Sequence, residues 1–147
     1  LILTTFSLTF LVFAIPAGLI GSKIGRKKTI LIGIVGILFV FIPLIFTENI
    51  LLITILLIVG GVFWACININ SYPMVVEMAG KGKTGAYTGY YYFFSSSAAI
   101  ISPILFGWVK DIGGSYEPLF IYSCICFIAA LMCMLFVRHG DAVKETA

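Results

Sequence analysis

The chain has 147 residues, of which 61% are hydrophobic and 10% charged, with a formal net charge of +3. Its mean hydropathy is +1.16. Soluble domains carry about 25% charged residues, so this composition excludes an ordinary soluble domain and indicates a protein of the lipid bilayer. The small net charge gives no reason to expect a nucleic-acid partner.

Five apolar segments follow one another, at 1–20, 29–46, 50–76, 86–109 and 119–137. A helix of ~20 residues, rising ~1.5 Å per residue, crosses a hydrocarbon core of ~30 Å. Segments of this length are helices, since a helix satisfies its own backbone hydrogen bonds in lipid. The sequence predicts an all-α membrane protein with five transmembrane helices and a tail at 138–147.

The basic residues fall on one side of a bundle whose helices alternate in direction. Eight of the nine lie in the first loop, the third loop and the tail: Lys23, Arg26, Lys27, Lys28, Lys81, Lys83, Arg138 and Lys144. Basic loops remain in the cytoplasm when a membrane protein inserts. We therefore expect this side and the C-terminus to be cytoplasmic, in a multi-pass protein of the plasma or inner membrane.

No pattern typical of an enzyme is present. The single histidine, His139, lies in the tail without a nucleophile beside it, and there is no phosphate-binding loop. The four cysteines lie in apolar segments without a His, Asp or Glu cluster, and we interpret them as buried packing residues. We expect no catalytic residue, no metal and no cofactor.

The first basic loop contains glycines and cations at regular spacing, and reads Gly18-Leu19-Ile20-Gly21-Ser22-Lys23-Ile24-Gly25-Arg26-Lys27-Lys28. This resembles the signature loop of the major facilitator superfamily, G-x-x-x-D-[RK]-x-G-R-[RK]. The matching residues are Gly18, Lys23, Gly25, Arg26 and Lys27. Ser22 replaces the Asp of the signature, as in the degenerate second copy of this loop, between helices eight and nine.

The resemblance implies that the chain is the C-terminal part of a major facilitator helix bundle, helices eight to twelve. It would form five helices of a six-helix half and require the missing N-terminal half as its partner. On this interpretation the fragment alone does not transport. Whether the truncation is biological stays open.

The same resemblance implies a cytoplasmic gate. Glu77 ends the third segment and is followed by Lys81, as in facilitators that transport sugars, where a similar glutamate pairs with the arginine of the loop. Glu77 and Arg26 are then the expected gate pair. The alternatives are a basic loop that binds lipid phosphates and a glutamate in a solvated turn.

A narrower resemblance covers two stretches, 68–78 and 85–92, which read Asn-Ile-Asn-Ser-Tyr-Pro-Met-Val-Val-Glu-Met and Gly-Ala-Tyr-Thr-Gly-Tyr-Tyr-Tyr. They are similar to helices ten and eleven of the sucrose/proton symporters and their bacterial relatives. The resemblance implies symport of a sugar, a disaccharide or glycoside, with a proton or cation by alternating access. No carboxylate lies at mid-depth in a segment, so we expect the coupling carboxylate to lie in the missing half.

The third and fourth segments contain the polar residues that we expect to line a substrate cavity: Asn68, Asn70, Tyr72, Tyr87, Tyr91 and Ser95. Polar groups in hydrocarbon are costly unless they face a partner or a wet cavity. Close helix packing and an interfacial aromatic belt are the alternatives for these residues. The second and fifth segments are nearly free of polar groups, and we expect them to face lipid.

Two other functions remain open. A facilitator that transports drugs or other small solutes would also suit the aromatic residues of the fourth segment. A membrane scaffold or receptor with the same fold, without transport, is an alternative of another class.

Overall fold

The computed structural model of the protein describes residues 2–80, 82–113 and 118–138. They form five α-helices: α1 (Ile2–Ile24), α2 (Arg26–Leu44), α3 (Ile50–Glu77), α4 (Thr84–Gly113) and α5 (Pro118–Phe136). All five are long and apolar enough to cross a membrane. The predicted all-α fold with five transmembrane helices is therefore confirmed, while the tail beyond Arg138 lies outside the described residues.

The largest difference from the predicted boundaries is at the first loop. The glycine and serine at positions 21 and 22 do not end the first helix, which continues to Ile24, and α2 begins at Arg26 instead of residue 29. A single residue, Gly25, separates the two helices. Its φ of 104° lies in the left-handed region, which a residue with a Cβ rarely adopts. The predicted boundaries left residues 21–28 between the two helices, whereas the structure leaves Gly25 alone.

Asn49 fixes the start of α3. Its side-chain oxygen accepts hydrogen bonds from the backbone N–H groups of Leu51 at 2.9 Å and Leu52 at 3.3 Å. An asparagine in this N-cap position satisfies donors that have no partner within the helix. The observed start at Ile50 agrees with the predicted one.

Glycines allow α1 and α2 to pack closely on α3. A Cβ on Gly33 of α2 would lie 2.9 Å from the Phe63 carbonyl oxygen, and one on Gly61 of α3 would lie 2.7 Å from the Phe6 carbonyl oxygen. Contacts of this kind bring helix backbones together in membranes, where dispersion forces drive helix association. The helix α3 therefore lies between α1 and α2 in the best-packed part of the bundle.

The expectation that the second helix faces lipid was wrong, since α2 has the largest set of buried residues among the described helices. These are Thr29, Ile30, Gly33, Ile34, Gly36, Ile37, Val40 and Leu44. A lack of polar groups does not distinguish lipid from an apolar protein interior, because both environments accept the same side chains.

The outer helix α5 packs on α2 and α3 through aromatic rings. Phe41 of α2 makes edge contacts with Phe120 and Phe127, and Phe127 also contacts Trp64 of α3. Of the four cysteines, all free thiols, two are not buried as interpreted from the sequence: those at positions 126 and 133 are exposed on α5. Much of α5 therefore remains available to lipid.

The helix α4 is attached least firmly, since no described residue of it is buried. Near one end, the Tyr72 hydroxyl of α3 lies 3.3 Å from the Thr88 hydroxyl. Further along, the Ser102 hydroxyl lies 3.1 Å from the hydroxyl of Tyr122 on α5. Polar contacts thus attach α4 to α3 near one end and to α5 further along.

Candidate functional site

The candidate site lies at one end of the bundle, where the C-termini of α1, α3 and α5 meet the N-termini of α2 and α4. We call this the basic end, because Lys23, Arg26, Lys27, Lys28, Lys83 and Arg138 lie there. Contacts from the start of α2 to the ends of α3 and α5 establish that these termini are neighbours. The single residue Gly25 places the Arg26 side chain directly beside the last turns of α1.

The Arg26 guanidinium connects α2 to α1 and α3. Its Nε donates to Glu77 Oε1 at 3.2 Å, and one of its terminal nitrogens donates to the Gly18 carbonyl at 3.2 Å and to Asn70 Oδ1 at 2.9 Å. The Arg26 side chain is 16% exposed and that of Glu77 is 31% exposed. The structure therefore brings together the expected pair, and adds two neutral acceptors that the sequence did not indicate as partners.

Asn70 lies inside the bundle, with no exposed surface. Its amide nitrogen donates to the carbonyl oxygens of Ala17 on α1, at 3.1 Å, and Cys66 on α3, at 2.9 Å. With the oxygen accepting from Arg26, both ends of the amide are used. The expectation that Asn70 lines a substrate cavity is not met, because its side chain is enclosed between α1, α3 and Arg26.

The residues Arg26, Glu77, Asn70 and the Gly18 carbonyl form what we call the Arg26 cluster. Gly21 belongs to its packing, because a Cβ there would lie 1.7 Å from Asn70 Oδ1 and 3.1 Å from an Arg26 terminal nitrogen. Sequence reasoning did not assign Gly21 to the site. The available signal was the spacing of Gly21, which follows Gly18 by three residues and therefore lies near the same face of α1.

Lys27, the neighbour of Arg26, points to a different helix. Its Nζ donates to the carbonyl oxygens of Leu135, at 3.5 Å, and of Val137, at the C-terminus of α5. Carbonyls in the last turn have no partner within the helix, and a cation there is also favoured by the helix dipole. The consecutive residues Arg26 and Lys27 thus connect α2 to α1 and α3 on one side and to α5 on the other.

The other two cations of the expected gate motif contribute less to the described geometry. Lys23 is exposed in the last turn of α1. Lys81 lies outside the described residues, so its predicted part in the gate motif stays a prediction.

Of the remaining candidate cavity residues, Tyr72 and Tyr91 lie at the α3–α4 contact. Tyr87 and Ser95 lie on α4, and Asn68 is exposed on α3. The Tyr72 ring is 5.4 Å from that of Tyr91, and Tyr91 contacts the ring of Tyr92 at 5.5 Å. Tyr87 contacts Tyr90 and is half-buried. The exposed Ser95 directs its hydroxyl to the Tyr92 carbonyl at 3.3 Å, within α4.

Two cavities share Tyr91 and Val75 in their linings. One, of about 430 Å³, lies along α4 and is lined by Val75, Tyr90, Tyr91, Phe94 and Ser95. The other, of about 280 Å³, is lined by Ile30, Ser71, Met74, Val75, Met78, Tyr91, Met134 and Val137. Both are predominantly apolar. The methionine-lined cavity could not be predicted from the sequence, because its residues come from four helices.

Comparison with known proteins identifies the family. The sequence model of the Major Facilitator Superfamily matches residues 1–147, the whole chain. The chain belongs to the Major Facilitator Superfamily. Together with its five apolar helices, this makes it a multi-pass membrane protein of that superfamily.

A curated relative in the superfamily is the "Multidrug resistance protein MdtG" of Proteus mirabilis (strain HI4320). It is 29% identical over 138 residues, which cover 92% of this chain and 34% of the relative. The chain thus spans about a third of that relative's length. No solved structure shows a significant match to the chain.

Proposed function

We propose that the chain forms helices eight to twelve of a secondary transporter that moves a small organic solute by alternating access. The Arg26 cluster is its cytoplasmic gate contact, and the basic end together with the C-terminus faces the cytoplasm. The observation on which this rests is the Arg26–Glu77 ion pair at 3.2 Å, made by a one-residue corner in a chain that matches the superfamily throughout. A contact between the ends of adjacent helices is suited to open and close as helices rock.

The substrate class that we favour is an apolar or amphipathic organic molecule of the drug type. The larger cavity has an aromatic wall, and α4 exposes Tyr90, Tyr92, Phe93 and Phe94 beside it. Broad apolar surfaces with few directed polar groups bind many hydrophobic compounds without strict selection. The name of the curated relative, a multidrug resistance protein, supports the same class.

A sugar/cation symporter is the second candidate. The Tyr72 ring contacts the Tyr91 ring and its hydroxyl lies beside that of Thr88, so aromatic rings and hydroxyls occur together at the α3–α4 contact. A pyranose ring could stack on such a tyrosine while its hydroxyl groups form hydrogen bonds. The likeness of residues 68–78 and 85–92 to the sucrose/proton symporters supports this class too.

Transport by the full-length protein in proteoliposomes distinguishes these classes. The dye Hoechst 33342 and radiolabelled sucrose are offered separately, each with and without an imposed pH gradient. Gradient-dependent movement of the dye alone supports the drug class, and gradient-dependent accumulation of sucrose alone supports the sugar class. If neither these solutes nor a wider set of drugs and disaccharides moves faster than in empty liposomes, the transporter proposal is wrong.

A further inference from the structure

Asn70 is a buried polar residue that the family signature does not contain, yet it touches the central cation of the site. We propose that Asn70 is a positioning residue, which keeps the Arg26 guanidinium on α1 and α3 when the Glu77 contact opens. Of the three described partners of Arg26, Glu77 is then the one that is released. This inference rests on the proposed gate, because it assigns separate roles to the partners of Arg26.

The hydrogen bonds fix the direction of the Asn70 amide. Its nitrogen faces the two carbonyl oxygens of Ala17 and Cys66, and its oxygen faces an Arg26 N–H. A turned amide would place oxygen against two carbonyl oxygens and N–H groups against the guanidinium. Since a guanidinium only donates and a carbonyl only accepts, the observed direction is the one that satisfies every group.

Burial makes the Asn70–Arg26 contact difficult to open. Asn70 has no exposed surface, so its separation from Arg26 leaves an acceptor unpaired away from water, which is costly. Glu77 differs, since its side chain is 31% exposed and water can replace Arg26 as its partner. The two contacts of Arg26 therefore have unequal costs of opening.

Gly21 provides the space for this arrangement. A Cβ at Gly21 would overlap with Asn70 Oδ1, at 1.7 Å, so an alanine would displace the amide oxygen from its place beside Arg26. Two substitutions, Gly21→Ala on α1 and Asn70→Leu on α3, thus remove the same contact from opposite sides.

Positioning by Asn70 makes the basic ends of α1 and α2 one unit with the part of α3 up to Asn70. Arg26 belongs to α2, while its neutral acceptors belong to α1 and α3. When Glu77 releases Arg26, α1, α2 and the part of α3 up to Asn70 stay together, and the change is confined to the last turns of α3 beyond Asn70 and the connection that leads to α4.

The native thiol of Cys66 provides the test. Cys66 is 9% exposed and packs with Ala17 and Phe10 between α1 and α3. In the full-length protein with Cys66 as its only cysteine, the rate of alkylation by the membrane-permeant N-ethylmaleimide reports how often these helices separate. Variants are Asn70→Leu, Gly21→Ala and Glu77→Gln, with Gly85→Ala as control. Among the described residues, a Cβ at Gly85 meets no atom within 4 Å outside its chain neighbours and its own helix backbone.

We expect Asn70→Leu and Gly21→Ala each to raise the rate by about tenfold or more, and Glu77→Gln and Gly85→Ala to change it by less than about twofold. A rise with Glu77→Gln equal to that with Asn70→Leu would overturn the proposal, because both partners would then anchor Arg26 alike. Unchanged rates in both Asn70→Leu and Gly21→Ala would overturn it as well.

A double-mutant cycle separates positioning of Arg26 from mere helix packing by Asn70. If Asn70 acts through Arg26, Asn70→Leu raises the alkylation rate much less in an Arg26→Gln protein than in the native one. If Asn70 matters only through the two hydrogen bonds that it donates, the increases in alkylation rate caused by Asn70→Leu and by Arg26→Gln multiply in the double variant, and the proposal fails. Alkylation does not depend on transport. A protein that moves no tested solute but shows this pattern would therefore contradict the proposed function and leave the proposed role of Asn70 intact.

Discussion

A methyl group on Gly21 would lie 1.7 Å from the Asn70 amide oxygen, far inside any possible contact between these atoms. Asn70 is fully buried and both ends of its amide are hydrogen-bonded, so its side chain cannot turn away into solvent and would lose these bonds if it moved. Overpacking of this kind typically costs about 1–3 kcal/mol. We expect Gly21→Ala to lower the thermal midpoint of the purified protein in detergent, although alanine favours a helix more than glycine does.

The matched change for Gly21→Ala is Gly85→Ala, in the first turns of α4. In the described part of the chain, no atom beyond the chain neighbours and the local helix backbone lies within 4 Å of a Cβ at that position, so the helix preference of alanine decides the effect. Its midpoint should be equal to or above that of the native protein. A Gly21→Ala protein as stable as Gly85→Ala would contradict the described packing.

The Asn49 cap predicts a second stability change, at the opposite end of α3. Asn49→Ala removes the acceptor of two backbone N–H groups and should cost about 1 kcal/mol. Asn49→Asp retains an acceptor, and its charge is favourable at a helix N-terminus. Thermal unfolding in detergent should therefore rank Asn49→Asp close to native and Asn49→Ala below both. Equal midpoints for the two variants would refute the cap.

Lys27 predicts a local effect on the end of α5. Lys27→Met leaves the carbonyls of Leu135 and Val137 without their cation, and a loss of about 1 kcal/mol opens the last turn roughly fivefold more often. Hydrogen exchange of the amides at 133–136 measures this opening. The neighbouring Lys28 is exposed, so Lys28→Met serves as the control and should leave exchange unchanged; equal acceleration by both would indicate a general charge effect.

The contacts of the Arg26–Glu77 pair predict that exchanging the two charges does not restore transport. For two side chains that contact only each other, Arg26→Glu combined with Glu77→Arg should restore transport. Here a glutamate at 26 would face the Gly18 carbonyl and the Asn70 oxygen, which now accept hydrogen bonds from Arg26. We expect the exchanged protein to transport more slowly than Arg26→Lys, which keeps a donor in place. Initial transport rates in proteoliposomes give the comparison, and native rates in the exchanged protein would disprove it.

Tyr122 predicts how firmly the far part of α4 is attached. Tyr122→Phe keeps the ring contact with Phe106 but removes the hydroxyl that meets Ser102, at a cost of about 1 kcal/mol. The amides of α4 near Ser102 should then exchange several-fold faster. Tyr90→Phe changes an exposed tyrosine of the same helix and should have no such effect. Identical exchange in the native and Tyr122→Phe proteins would show that the hydroxyl contact does not hold α4.

The fold could be predicted from the sequence because length and hydropathy determine a membrane helix with little help from tertiary contacts. The proximity of Arg26 and Glu77 was expected from the resemblance of the loop to the superfamily signature, and it agrees with the position of both residues at helix ends on the same side of the bundle. The burial of α2 could not be predicted from the sequence. Which face of an apolar helix meets protein depends on where glycines allow a neighbouring helix to approach.

The role of Asn70 could not be predicted for a related reason. Asn68 and Asn70 are two positions apart and therefore about 200° apart around a helix, so one of them is exposed when the other is buried. The sequence does not indicate which of the two faces α1. The partners of Lys27 are backbone carbonyls of α5, and no pattern of side chains indicates such acceptors.

The single-residue corner at Gly25 has a mechanical consequence. Consecutive Cα atoms are about 3.8 Å apart, so the Cα atoms of Ile24 and Arg26 stay within roughly 7.6 Å of each other in every conformation. A rotation of α1 must then displace the start of α2, and through Lys27 also the end of α5. Because Gly25 alone connects α1 to α2, no longer loop is present to absorb a movement of α1, and the displacement is transmitted through α2 to α5.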